Sequence, residues 1–313
     1  MTGAAAPVTW VLGSGGLLGR AVVRAAGSRG WPVLPTGRIP WGDPDRVDEA
    51  MARGVQAMLA VAGGGPWRVA WCAGSGVTGS TTAQLGREVE AFGALLSALS
   101  GVAAGGDGGV FVSSSAGGVY AGSIGAPFTE HHDPAPISAY GKAKMAGERL
   151  AGDFHRRTGV PVVIGRIANL YGPGQNLAKP QGLISALCRS QLTRQPVSIY
   201  VPMDTLRDYL YVHDGAAMVL DALAGCGGRG LVTKIVASGQ AVTVGALLGE
   251  VRRVFRRRPL VVLGTSSTAR YQAVDLRLRS VLWPELDQRA FTTLPAGLAA
   301  TARALQTRMQ RAS

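Results

Sequence analysis

Acidic side chains are scarce in this sequence. Its 313 residues carry 19 Asp and Glu against 32 Lys and Arg, a formal net charge of +13. Charged residues of both signs make up only 16%, against a typical value of about 25%. The positive excess therefore comes mostly from missing acids. Cysteine is also sparse. Cys72, Cys188 and Cys226 are an odd number of thiols, far apart, which excludes a disulfide scaffold and suits reduced thiols in a cytoplasmic protein. No apolar run approaches ~18 residues, so no membrane-spanning segment is expected. The start, MTGAAAPVTWVLGSGG, has no charged n-region and meets glycine early, so it does not read as a secretory leader. The histidines offer no metal spacing: His131 and His132 are adjacent and point to different sides, while His155 and His213 are distant. No metal site is expected.

Glycine is abundant, at 45 residues, roughly twice the usual share. It follows no G-x-y period, which excludes collagen. A hydrophobic fraction of 47% suffices for a packed core and excludes a largely disordered chain. Arg252, Arg253, Arg256, Arg257 and Arg258 form a basic cluster, but no aromatic stacking platform accompanies it. It reads as a solvated helix face favoured by the C-terminal dipole, and a nucleic-acid partner is not expected.

The apolar run Val8–Leu12 ends in Gly13-Ser14-Gly15-Gly16, and a helical pattern follows with Leu17, Leu18, Val22, Val23 and Ala26 apolar. Gly30 ends it, and Pro32-Val33-Leu34 resumes a strand. Strand, glycine turn, helix, strand is the opening of a parallel βαβ unit. Arg68–Cys72, Val110–Ser113 and Val160–Ile164 read as further buried strands, with helices at Glu88–Leu99 and Ala139–Phe154. Beyond Tyr171 the texture changes to a Pro/Gly/Gln-containing stretch around a helix at Leu183–Leu192. A new element starts at Arg207–Val212, helices follow at Ala216–Leu223 and Thr243–Phe255, and Leu260–Leu263 is strand-like. The expected fold is α/β, a doubly wound parallel sheet with a smaller C-terminal α/β lobe. Residues 1–170, completed by about 205–240, would bind the cofactor. Residues 171–204 and 241–313 would bind the substrate.

Gly13-x-x-Gly16-x-x-Gly19 lies where a dinucleotide pyrophosphate needs it. Glycines let the backbone approach the phosphates, and the helix N-terminus supplies N–H groups and a positive dipole. Gly13, Ser14, Gly15, Gly16, Leu17, Leu18 and Gly19 are therefore cofactor-binding candidates. The end of the second strand selects the dinucleotide: an acid there would bind the ribose 2′-OH of NAD. This chain has Leu34-Pro35-Thr36-Gly37-Arg38 instead. Arg38 suits a 2′-phosphate, with Arg20 adding to that field, so NADP(H) is favoured and NAD(H) remains open.

Tyr140 and Lys144 stand at i and i+4, on one face of a helix. An adjacent ammonium and an oxidised nicotinamide ring favour phenolate, so the pair makes sense as a proton shuttle to a hydroxyl or carbonyl. Ser115, at the end of Ser113-Ser114-Ser115, is placed to hydrogen-bond a carbonyl oxygen opposite Tyr140.

Taken together, the sequence resembles an extended short-chain dehydrogenase/reductase, of the nucleotide-sugar epimerase, dehydratase and ketoreductase type. The resemblance covers nearly the whole chain. It runs through the Gly13–Gly19 motif, Ala73-Gly74, Ser113-Ser114-Ser115 with Val119-Tyr120, and Tyr140-x-x-x-Lys144. It continues through Arg166-x-x-Asn169-x-Tyr171-Gly172-Pro173-Gly174, Arg207-Asp208-Tyr209 with Val212-x-Asp214, and Leu294-x-x-Gly297-Leu298. It implies a Rossmann-type fold, hydride transfer at a sugar carbon, Tyr140 as acid/base, Ser115 orienting the oxygen, and Lys144 holding the nicotinamide ribose. It also implies Ala73 and Gly74 against the cofactor, Asn169 and Arg207 on the sugar diphosphate, and a homodimer.

Departures bear on function. Glu90 stands at the helix position where the family usually carries an asparagine, and Trp71-Cys72 replaces a common His-x. Trp41-Gly42-Asp43 is expected to give the adenine contact. Ala116-Gly117 follows Ser115 in place of the Asp-Glu pair of 4,6-dehydratases, so water elimination is not expected. The leading expectation is NADPH-dependent reduction of a keto-sugar carried on a nucleotide diphosphate. The alternatives are a sugar 4-epimerase that retains its cofactor, a ketoreductase of a non-sugar ketone, and a cofactor-binding regulator without catalysis.

Overall fold

The computed structural model describes residues 5–101, 106–178, 182–266 and 271–311; the first four residues of the MTGAAAPVTWVLGSGG segment lie outside them. In chain order the elements are β1 (Val8–Leu12), α1 (Leu17–Ser28), α2 (Pro44–Ala62), β2 (Trp67–Trp71), α3 (Thr82–Ser100), β3 (Gly108–Ser115), α4 (Ala116–Val119), α5 (Ala139–Thr158) and β4 (Val162–Ile167). Then come β5 (Asn169–Tyr171), α6 (Leu183–Thr193), β6 (Val197–Ile199), β7 (Leu206–Tyr211), α7 (Val212–Ala224), β8 (Leu231–Val236), β9 (Ala241–Thr243), α8 (Val244–Phe255), β10 (Val261–Leu263), β11 (Asp275–Leu276), a 3-10 turn at Pro284–Leu286, and α9 (Leu294–Gln310).

The main sheet is parallel, in the order β1-β2-β3-β4-β8. Every residue of β1, β2 and β4 is buried, as expected of parallel strands covered on both faces. Val11, Phe111, Val163 and Ile235 pack with Val22 of α1 and Val219 of α7. On the other face Trp10, Val69, Val110 and Ile164 pack with Met51 of α2, Phe92 of α3 and Phe154 of α5. The chain leaves this sheet after β4, builds β5, α6, β6 and β7, and returns with α7 and β8. It then leaves again for the remaining elements. In the second lobe β11, β7 and β5 pair in parallel, β9 joins β7 antiparallel, and β10 pairs with β6. Tyr171, Leu187, Tyr211, Leu247 and Leu298 form its core.

Helix ends follow local chemistry. Thr81 and Gln84 form a reciprocal capping box on α3, which satisfies two otherwise unpaired donors. Ser138 caps α5 by accepting from Gly141 N–H. That helix ends with His155, Arg156 and Arg157 in its last turn and Gly159 in the left-handed conformation, cations where the dipole favours them.

Two expectations need correction. Pro32-Val33-Leu34 is not a strand but a lone parallel bridge, Thr9 to Val33, made by Thr9 N–H donating to Pro32 and Leu34 N–H to Thr9. Pro32 and Pro35 bracket it and lack the N–H groups that a longer ladder requires. The sequence reading also assigns no element to residues 44–62, which form α2, started by Asp43 with Pro44 in the first turn and ended by left-handed Gly63.

Candidate active site

The glycine loop joins β1 to α1 at the carboxyl end of the sheet. Gly13 has φ +82°, and a Cβ there would lie 2.6 Å from the Ala73 backbone. A Cβ on Gly19 would lie 2.1 Å from the Gly13 carbonyl oxygen. Both positions therefore demand glycine, one to press the loop against the end of β2, the other to bring α1 under it. No side chain caps α1, whose N-cap is Gly16. Its first N–H groups remain open to an anion, and the Gly15 backbone faces open space. This cradle fits a dinucleotide pyrophosphate. Leu17 is half-buried and Leu18 is buried in the core, so Leu18 turns its side chain away from the crevice. Ser14 lies between the two loop glycines.

Arg38 is exposed, on the segment that runs beside β1 as far as Thr36, whose hydroxyl donates to Val11 O at 3.0 Å. Arg20 spans two elements, donating to Gly16 O and to Gly174 O of the second lobe, both at 3.4 Å. Asp43 accepts from Arg46 N–H at 3.3 Å, so its carboxylate starts α2.

The serines, the tyrosine and the lysine meet where β3 runs into α4. Ser115 Oγ accepts from Gly118 N–H at 3.1 Å and starts that short helix. A Cβ on Gly118 would lie 3.0 Å from the Tyr140 ring, and one on Gly141 would lie 2.1 Å from Gly118 O. Two glycines thus let α4 lie directly on α5, bringing the Tyr140 ring against the turn that Ser115 begins. Lys144 Nζ stands 5.6 Å from the Tyr140 ring centroid and donates to Ser113 O at 3.4 Å. The Tyr140 phenol thus stands beside an ammonium and against the turn that carries the Ser115 hydroxyl.

Glu148, one turn beyond Lys144, anchors this helix from behind. It is buried with Arg166 in an ion pair of 2.7 Å and accepts from Ser114 Oγ at 2.6 Å. Arg166 also donates to the Tyr120 hydroxyl at 2.8 Å, which donates onward to Thr129 O. Burial holds the Tyr120 phenol above its usual range.

One acid escaped the sequence reading. The carboxylate facing the site from α3 belongs to Glu88; Glu90 is exposed. Glu88 Oε1 accepts from Ser75 N–H at 2.6 Å, Gly76 N–H at 2.7 Å and Ser75 Oγ at 3.0 Å. Gly74, at φ +144°, is flanked by Glu88 and Lys144: a Cβ there would lie 3.3 Å from Glu88 Oε2 and 3.6 Å from Lys144 Nζ. The signal was present, because Glu88 is three residues after buried Leu85 and four before buried Phe92, hence on the inward stripe. Glu90 is off it. Nearby, burial pushes the Cys72 thiol up to about 12.

Asn169 and Arg207 lie in the second lobe. Asn169 Nδ2 donates to Asp208 O at 3.2 Å, tying β5 to β7. Arg207 is buried and donates to Leu206 O at 2.8 Å and to Gln272 Oε1 at 3.4 Å. Burial pulls its guanidinium below the usual range. Among the described residues it has no carboxylate within ion-pair distance. No group of three or more His, Cys, Asp or Glu among the described residues could hold a metal ion, and no described helix is long and apolar enough to cross a membrane.

A glycine cradle on a doubly wound parallel sheet, beside a Ser, Tyr and Lys cluster, defines a dinucleotide-binding α/β protein of the extended short-chain dehydrogenase/reductase class. The chain belongs to the NAD dependent epimerase/dehydratase family, whose model matches residues 9–230. A putative UDP-glucose 4-epimerase of Methanocaldococcus jannaschii is 33% identical over 114 residues, which is 36% of this chain and 37% of that protein. The match thus spans little more than a third of the relative's length. Among solved structures, MoeE5 in complex with UDP-glucuronic acid and NAD is 25% identical, with a TM-score of 0.80 over 96% of this chain and 99% of that one. The UDP-glucose 4-epimerase of Thermotoga maritima, solved with UDP-glucose, shares the fold at 22% identity, a TM-score of 0.78 and coverage of 96% and 99%.

Proposed function

We propose that this protein is a nicotinamide-dependent oxidoreductase of nucleotide-diphosphate sugars that inverts a ring carbinol by oxidising and re-reducing it. The observation carrying this reading is the meeting of Ser115, Tyr140 and Lys144 beside the dinucleotide cradle. A bound nicotinamide cofactor supplies the hydride acceptor and donor. Tyr140 would take the proton of the sugar hydroxyl during oxidation and return it to the same oxygen during re-reduction. Ser115 holds the sugar oxygen. Lys144 holds positive charge beside the phenol and a ribose hydroxyl. Arg207, buried and without a carboxylate partner among the described residues, suits a diphosphate, whose two oxygens it can fork onto, and Asn169 stands on the neighbouring strand. Residues 116–118 offer no acid for eliminating water, and two of the named relatives carry the name UDP-glucose 4-epimerase.

Net reduction of a keto-sugar by NADPH is the second reading. Exposed Arg38, with no acid in the segment Leu34–Arg38, favours the phosphorylated cofactor.

A panel of nucleotide sugars incubated with each cofactor separates the two. Epimerisation gives a product of unchanged mass and altered retention with no net cofactor turnover. Reduction consumes NADPH and adds two hydrogens. A panel in which no sugar changes overturns both.

A further inference from the structure

We propose that Glu88 is the counter-charge of the nicotinamide end of the site, making the pocket prefer the oxidised, cationic ring over the reduced, neutral one. The inference deepens the proposed function and rests on its placing of that ring beside Tyr140.

The cleft between α3 and α5, at the ends of β2 and β3, is lined by Tyr140, Lys144, Ser113 and Ser114 on one side and by Glu88 and Phe92 on the other. Its charged lining consists of Lys144 and Glu88. Glu88 is held in place: Oε1 receives two backbone N–H groups and a hydroxyl, a set of donors that an acceptor-only carboxylate satisfies. The clamp turns Oε2 toward Gly74, with Lys144 Nζ on the same side. The two are not in ion-pair contact, so each acts on the pocket as a separate charge.

The consequence follows from counting. With Glu88 as carboxylate and Tyr140 in its phenol form, the lining sums to zero. With a neutral residue there it sums to one positive charge, from Lys144. The oxidised ring carries one positive charge more than the reduced ring, so the acid removes a repulsion that only the oxidised form feels. A unit charge on the order of 10 Å away, at an effective dielectric of about 20, shifts such a preference roughly tenfold. A pocket balanced in this way suits a cofactor that begins and ends each turnover oxidised, as epimerisation requires.

The test is calorimetric titration of the full chain with NAD+, NADH, NADP+ and NADPH, for wild type and Glu88→Gln. The glutamine keeps an oxygen for the Ser75 and Gly76 amides and removes only the charge. The ratio of oxidised to reduced dissociation constants is expected to rise roughly tenfold in the variant. An unchanged ratio, including equal weakening of both forms through a disturbed turn, overturns the proposal. If Glu88→Gln does not fold, Glu88→Asp is titrated in its place. Drawing the carboxylate back by one methylene then gives a smaller rise in the same direction, and no rise overturns the proposal. A chain that binds none of the four dinucleotides overturns the functional reading itself, whereas binding with an unchanged ratio overturns only the role of Glu88.

Discussion

Gly141 stands directly against Gly118, so closely that a Cβ on Gly141 would lie 2.1 Å from the Gly118 carbonyl oxygen. The contact seats the helix carrying Tyr140 on the turn begun by Ser115. Gly141→Ala must push α5 away from α4, and displacements of about 1 Å cost roughly 10²-fold in rate. We expect kcat on the responding nucleotide sugar to fall by about that factor while dinucleotide affinity changes little. Steady-state kinetics alongside calorimetry check this, and unchanged kcat would show that the contact does not set the geometry.

Tyr140→Phe removes the proton carrier and leaves the ring against Gly118. Turnover should fall about 10²–10⁴-fold, with cofactor binding close to wild type. Activity surviving this change would mean that another group moves the proton.

Arg38→Ala should weaken NADPH roughly 10- to 100-fold, the loss of a charge-assisted contact, and leave NADH nearly unaffected. Equal loss for both dinucleotides sinks the assignment of Arg38 to a 2′-phosphate.

These targets were legible to very different degrees. The glycine loop and the Tyr140–Lys144 pair could be read directly, because each is a local spacing that one helix or turn converts into geometry. Glu88 could not be separated from Glu90 by likeness alone. The inward stripe of α3, through Leu85 and Phe92, separates them. Helix α2 was missed because Trp41-Gly42-Asp43 is read only as an adenine contact, whereas Asp43-Pro44 is also a helix start. The second lobe was least legible, since β5, β6 and β9 are three residues each, too short for any periodicity to register; β10 is as short, but its apolar run at Leu260–Leu263 is read as strand-like. The Val33 bridge misled for the opposite reason: its apolar pattern is strand-like, and the flanking prolines overrule it.

Glu148→Ala would leave the Arg166 guanidinium buried without its partner. Breaking such a pair costs about 3–5 kcal/mol, so the midpoint of denaturant unfolding should drop accordingly. A loss under about 1 kcal/mol would show that water or Tyr120 replaces the carboxylate.

Burial holds Cys72 and Cys188 up at about 12 and raises Cys226 as well. At pH 8 a thiol near 12 is ionised in roughly one molecule in 10⁴, and only the thiolate reacts. Native protein should therefore resist alkylation, and denatured protein should expose all three thiols at once. A thiol that reacts rapidly in the native state would contradict this, and tryptic mapping would name it.

The cofactor sheet takes its fifth strand, β8, from residues 231–236, inside the run of chain that builds the other lobe. The two lobes consequently share no single junction. One genetic crossover placed between residues 171 and 230 would exchange most of the second lobe, but would also replace the strand that closes the sheet beside β4. Exchanging only the second lobe needs two matched crossovers in one event. A chain threaded in this way is open to change by substitution along a fixed path, and closed to the trading of whole modules.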